Sequence, residues 1–170
     1  MANASLIVAG SRITAALLQS VAPLAVIKGA DETVTNSTAL QNDNELFVTC
    51  AANATYVFDC YLDFEGAAVT TGDIQWQWST PSGATLRYQP IYAVVGSGLA
   101  ISAGTTVTGA TTVSAGTNGS GSLRGASMNG TLIMGSTAGN LQLKWAQNTA
   151  NNSTGTTVHA QSYLALWRVT

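Results

Sequence analysis

The sequence predicts an all-β chain: an antiparallel jelly-roll sandwich of about eight or nine strands with a short N-terminal helix. Three observations predict it. First, apolar and polar residues alternate with period two through several runs, most cleanly in TYVFDCYLDFE at Thr55–Glu65. Second, Gly, Pro and Asn punctuate the runs at intervals of about 8–15 residues, the rhythm of tight turns. Third, the composition is 46% hydrophobic but 8% charged, where an ordinary globular domain carries about 25% charged residues. So few charges leave a free monomer prone to association and point to a chain packed among copies. At 170 residues the chain suits one domain with an appendage. Residues 1–23 read as a docking segment with a short helix, and residues 24–170 as the jelly-roll domain.

In order along the chain, Ser11 is a good N-cap for the helix in residues 12–21, where Ile13, Ala16, Leu17 and Val21 make one apolar stripe. Pro23 ends it. A helix this short outside a sandwich has little core of its own to join, so the stripe is expected to dock on a partner. Residues 24–28 form a first short strand. Residues 29–45 are polar and read as a loop with at most a short edge strand. ELFVTC, at residues 45–50, is a strand, and AANA is its turn, with Asn53 suited to a left-handed conformation.

In Thr55–Glu65, Tyr56, Phe58, Cys60, Leu62 and Phe64 share the inward face. Residues 73–80 repeat the pattern with Ile74, Trp76 and Trp78 inward. PSG, at residues 81–83, turns the chain into a strand that Pro90 marks as an edge or a bulge. The Gly/Ser/Thr tract at residues 96–121 holds recurring Leu, Ile and Val, which favours short strands over a flexible linker. Residues 122–134 form a strand pair or one long strand. The chain closes with two alternating runs, Leu141, Leu143 and Trp145 and then Val158 to Val169, read as a long antiparallel hairpin over residues 139–170.

Chemistry-bearing patterns are scarce. The net charge is −2 and the basic residues are scattered, which argues against nucleic acid and a polybasic membrane surface. No stretch approaches the roughly 18 apolar residues of a membrane helix. Cys50 and Cys60 are placed on neighbouring strands of one hairpin, either bridged or as two free buried thiols. Two thiols and the single His159 lack metal-ligand spacing, and no cofactor motif occurs. Asp59, Asp63 and Glu65 share a strand face; residues i and i+4, such as Asp59 and Asp63, lie about 13 Å apart, too far for a glycosidase pair, which leaves cross-strand partners open and a solvated or intersubunit polar face as the commoner role. The chain therefore reads as a non-enzyme. Trp76, Trp78, Trp145, Trp167 and Tyr88 are weighed as a sugar-stacking platform, Trp76, Trp78 and Tyr88 foremost, against the commoner role of filling a sandwich core or a subunit seam.

Three stretches carry a family likeness: IVAGSRITAALLQSVAP at residues 7–23, ANATYVFDCYLDFEG with DIQWQWSTPSGATLRY across residues 52–88, and STAGNLQLKWAQNTANNSTGTTVHAQSYLALWRV at residues 136–169. Together they resemble virion proteins of tailed bacteriophages, especially those infecting actinobacteria, of minor-tail or decoration type. The closing HAQSYLALWRV pattern is similar to the jelly-roll heads of the tumour necrosis factor and complement globular-head type. The resemblance implies a non-enzymatic structural protein on the virion, made in the host cytoplasm and fixed to capsid or tail proteins by residues 1–23. It also implies a homotrimer, with a host-surface glycan-binding module of the tail as the alternative. On that reading one face of the last strand fills the sandwich and the other meets a neighbouring subunit. The expected interface is Tyr163 and Trp167 on one face, or Leu164 and Leu166 on the other.

Overall fold

The structure, a computed structural model, describes residues 10, 12–15, 22–67, 73–92 and 106–169. Among the described residues the strands are β1 (Leu24–Ile27), β2 (Glu32–Val34), β3 (Gln41–Cys50), β4 (Thr55–Glu65), β5 (Ile74–Ser79), β6 (Thr85–Ile91), β7 (Val107–Thr108), β8 (Val113–Ala115), β9 (Arg124–Ile133), β10 (Gly139–Gln147), β11 (Thr156–Val158) and β12 (Tyr163–Arg168). The larger sheet runs β1-β12-β4-β9-β6-β7, with β11 paired to both β4 and β2; the smaller runs β3-β10-β5-β8. The chain is all-β: two antiparallel sheets face each other in a jelly-roll-like sandwich. From β3 to β6 every step of the chain changes sheet, and so does every step from β7 to β11. Partners such as β4 with β9 and β3 with β10 are therefore distant in sequence.

The alternation places the core. On β4, Tyr56, Phe58, Cys60, Leu62 and Phe64 are buried, as are Ile74, Trp76 and Trp78 on β5 and Leu141, Leu143 and Trp145 on β10. Phe58 joins the two sheets. Its ring meets the Trp78 ring edge-on at 5.1 Å and the Tyr88 ring at 5.9 Å, geometry that aromatic quadrupoles favour. The turns follow their residues. Asn53 has φ 54° between β3 and β4, and Gly83 has φ 76° between β5 and β6. Pro90 lies on β6 beyond the two residues that pair with β7, where the missing N–H costs no ladder bond.

Several expectations are corrected, while the short strands β2, β7 and β8 and the single long strand β9 fall within what the sequence predicts. The closing hairpin is not one: β10 belongs to the smaller sheet and β12 to the larger. Alternation identifies which face is buried, not which strand lies alongside, and both runs bury apolar faces in one core. Cys50 and Cys60 do not share a hairpin, because β3 and β4 lie in opposite sheets; both are free and buried. β3 begins at Gln41 rather than Glu45, and the polar stretch before it contributes β2, which pairs with β11. The later part of the glycine-rich tract supplies β7 and β8. Residues 122–134 hold one long strand, β9. These two- and three-residue strands raise the number above the expected eight or nine.

Candidate functional site

The outer face of the larger sheet differs from that of the smaller. Register sets its rows. Trp167, Val57, Thr131 and Arg87 lie side by side across β12, β4, β9 and β6. The next row is Ala25, Ala165, Asp59, Asn129 and Gln89, and the one after is Ile27, Tyr163, Tyr61, Ser127 and Ile91. Of the nine large apolar side chains exposed among the described residues, five stand on this face: Ile27, Val57, Ile91, Ile133 and Trp167. The smaller sheet turns Gln75, Gln77, Gln142, Lys144, Asn140 and Thr49 outward, with Phe47 as its exposed large apolar residue.

Tyr61 and Tyr163 stack at 6.2 Å with 28° between their planes. The Tyr163 hydroxyl donates to Asp59 Oδ2 at 3.1 Å. Tyr61 lies across Gly125, where a Cβ would sit 2.8 Å from its hydroxyl oxygen. Glycine here lets the ring lie flat on β9. Burial pushes both tyrosine hydroxyls above their ordinary pKa. Thr85, Arg87, Thr131 and Ile133 line an open depression of about 240 Å³ at the β6–β9 margin.

The expected interface residues separate. Trp167 is 41% exposed and Tyr163 half-buried, both on the outer face. Leu164 and Leu166 are fully buried in the core, so that face of β12 meets the opposite sheet, not another chain. The glycan platform is corrected as well. Trp76, Trp78 and Tyr88 are at most 2% exposed, because the period of β5 and β6 points them inward. They offer a sugar no face to stack on. Of the docking stripe, Ile13 is exposed, while Ala16, Leu17 and Val21 lie outside the described residues.

Asp31, Glu65 and His159 hold loops. His159 Nδ1 is 3.2 Å from Asp31 Oδ2, and Nε2 is 3.9 Å from Glu65 Oε2. Glu65 also accepts the Gly121 N–H at 2.6 Å. The Ala160 N–H, and then His159, lower the pKa of Asp31. These contacts join the β1–β2 loop, the end of β4 and the β11–β12 loop. Among the described residues no group of three or more His, Cys, Asp or Glu could hold a metal ion.

A second constellation escaped the sequence reading. Lys28 follows β1 and is buried with Asp43 of β3. Its Nζ lies 2.9 Å from Glu32 Oε2 and 3.1 and 3.0 Å from the two Asp43 oxygens. Asp43 Oδ1 accepts the Glu45 and Leu46 N–H groups at 2.9 and 2.7 Å, and Oδ2 accepts Trp145 Nε1–H at 3.1 Å. A register shift makes this possible. Gln142 faces Phe47 but Lys144 faces Asn42, so residues 43–46 bulge and Asp43 turns inward. Burial pulls the Lys28 pKa down, but hydrogen bonds and charge from Glu32 and Asp43 outweigh it and leave the pKa raised. A lysine after an apolar run was the available signal; its partners are 4 and 15 residues away, with no motif linking them.

No protein-family model matches the chain, and a search of curated proteins returns no match.

Proposed function

We propose that the chain is a non-enzymatic structural protein of a bacteriophage virion, a homotrimer of jelly rolls fixed to the capsid or tail surface as a decoration protein or small tail appendage. One observation carries the self-assembly part of this reading: the outer face of the larger sheet carries five exposed large apolar side chains, Val57 and Trp167 side by side, while the smaller presents mostly amides and hydroxyls. Clustered exposed apolar surface marks an interaction site, and burying it is worth about 25 cal/mol per Å². A second copy is the economical occupant, because the chain's 8% charge leaves little else to keep such a face in solution. The likeness to tailed-phage virion proteins supports the location, and the likeness to trimeric jelly-roll heads supports the number three.

Native mass measurement of the full chain tests it. The wild type is expected as a trimer. Val57→Asp combined with Trp167→Glu, both on exposed positions, is expected to give monomers with an unchanged far-ultraviolet circular dichroism spectrum. A wild type that stays monomeric at micromolar concentration overturns the reading. Antibody labelling of particles then distinguishes capsid from tail.

A further inference from the structure

We propose that Lys28 and Asp43 form a self-modification site, at which the lysine amine condenses with the aspartate carboxyl to make an intramolecular isopeptide bond, with Glu32 as the proton carrier. The inference is independent of the assembly reading.

Four features of the cluster support it. Nζ lies within 3.1 Å of both Asp43 oxygens, the atoms that flank the electrophilic Cγ. Holding reactants at such distances is worth effective concentrations on the order of 10⁵ M or more. The site is dry: the Lys28 and Asp43 side chains are 1% and 0% exposed, so water does not compete for the carbonyl carbon. The Glu45 and Leu46 N–H groups both point at Asp43 Oδ1, the arrangement that stabilises an oxyanion as a tetrahedral centre forms. Finally, Glu32 Oε2 lies 2.9 Å from Nζ, within proton-transfer reach.

The step balances without another reactant. Glu32 takes a proton from the Lys28 ammonium and passes it to Asp43 Oδ2, and the freed amine attacks Cγ of the neutral carboxyl. Negative charge collects on Oδ1 between the two backbone donors. The Cγ–Oδ2 bond then breaks as the Cγ–Nζ amide forms. Both protons lost by the ammonium leave on Oδ2 as one water, and Glu32 ends as it began. A buried ion pair, whose desolvation is costly, becomes a neutral amide. The bond would join the end of β1 in the larger sheet to β3 in the smaller and close a loop over residues 28–43.

Intact-mass measurement of the denatured full-length protein tests this. The expected mass is lower than that of the unmodified chain by one water, with a branched peptide joining the Lys28 and Asp43 fragments in a digest. Glu32→Gln is expected to fold, by circular dichroism, and to retain the full mass. Asp43→Ala should also retain it. A folded wild type that keeps its full mass after prolonged incubation overturns the proposal and leaves an ion cluster only. Water loss in Glu32→Gln overturns the role of Glu32.

Discussion

Gly130 shows how much one hydrogen atom can decide. It sits on β9 between Phe58 of β4 and Tyr88 of β6. A Cβ there would lie 2.1 Å from the Arg87 carbonyl oxygen and 2.6 Å from Tyr88 Cα. Both are backbone atoms and cannot swing aside, so β6 would have to move off β9. Gly130→Ala is expected to cost about 3 kcal/mol, read from urea unfolding; a loss below about 1 kcal/mol would show that the sheet yields more easily than its geometry suggests. Asp73 carries a different kind of cost. It is buried, and burial raises its pKa above the ordinary 3.8, partly offset by the Thr117 N–H at 3.1 Å. The native state therefore binds this proton more tightly than the unfolded chain does. Its contribution to stability is fully present below 3.8 and is lost as pH rises through the raised native value. Asp73→Asn removes the titration and keeps an acceptor for Thr117. Its stability relative to wild type should rise as pH increases from 3.8 through the raised native value. A flat difference across that window would argue against the shift.

At the scale of the element, β4 organises the sandwich. It pairs with β12 and β11 on one side and β9 on the other, and its inward residues form the centre of the core. Phe58→Ala would remove a fully buried ring that contacts both Trp78 and Tyr88. The expected loss is about 3–5 kcal/mol, seen as a lower denaturant midpoint with an unchanged slope. This strand was legible because eleven residues alternate without interruption. β5 was legible for the same reason, and the αL turn at Asn53 because few other residues adopt it easily. β2 and β11 were legible only in part, β2 as a possible short edge strand without bounds and β11 as the start of the closing run. Each is three residues long and polar at its centre, and each is a strand only through its partners, β11 for β2, and β2 and β4 for β11.

For the whole molecule, the consequential feature is the unequal character of the two outer faces. Val57 and Trp167 are direct neighbours across β4 and β12, so two substitutions place two carboxylates side by side at the apolar end of their row. If that row is the seam between copies, the charges are left unpaired in it, at a cost of several kcal/mol per buried ion. The dissociation expected of Val57→Asp with Trp167→Glu should therefore be complete at micromolar concentration, with little change in unfolding midpoint once both proteins are compared as monomers. Native mass and denaturation together separate a broken seam from a broken fold.

The sequence by itself determined the class of fold, the inward face of each long strand and the turns at Asn53 and Gly83, because period-two burial and left-handed backbone are local properties. It also showed that Tyr163 and Trp167 face away from Leu164 and Leu166 on the last strand. Only the tertiary structure decided which of those faces fills the core, that β10 and β12 lie in opposite sheets, and that Tyr88 is interior. It alone brought Lys28, Glu32 and Asp43 together. Strand partners and buried ionic contacts depend on how two sheets are laid over each other, and no local pattern encodes that placement.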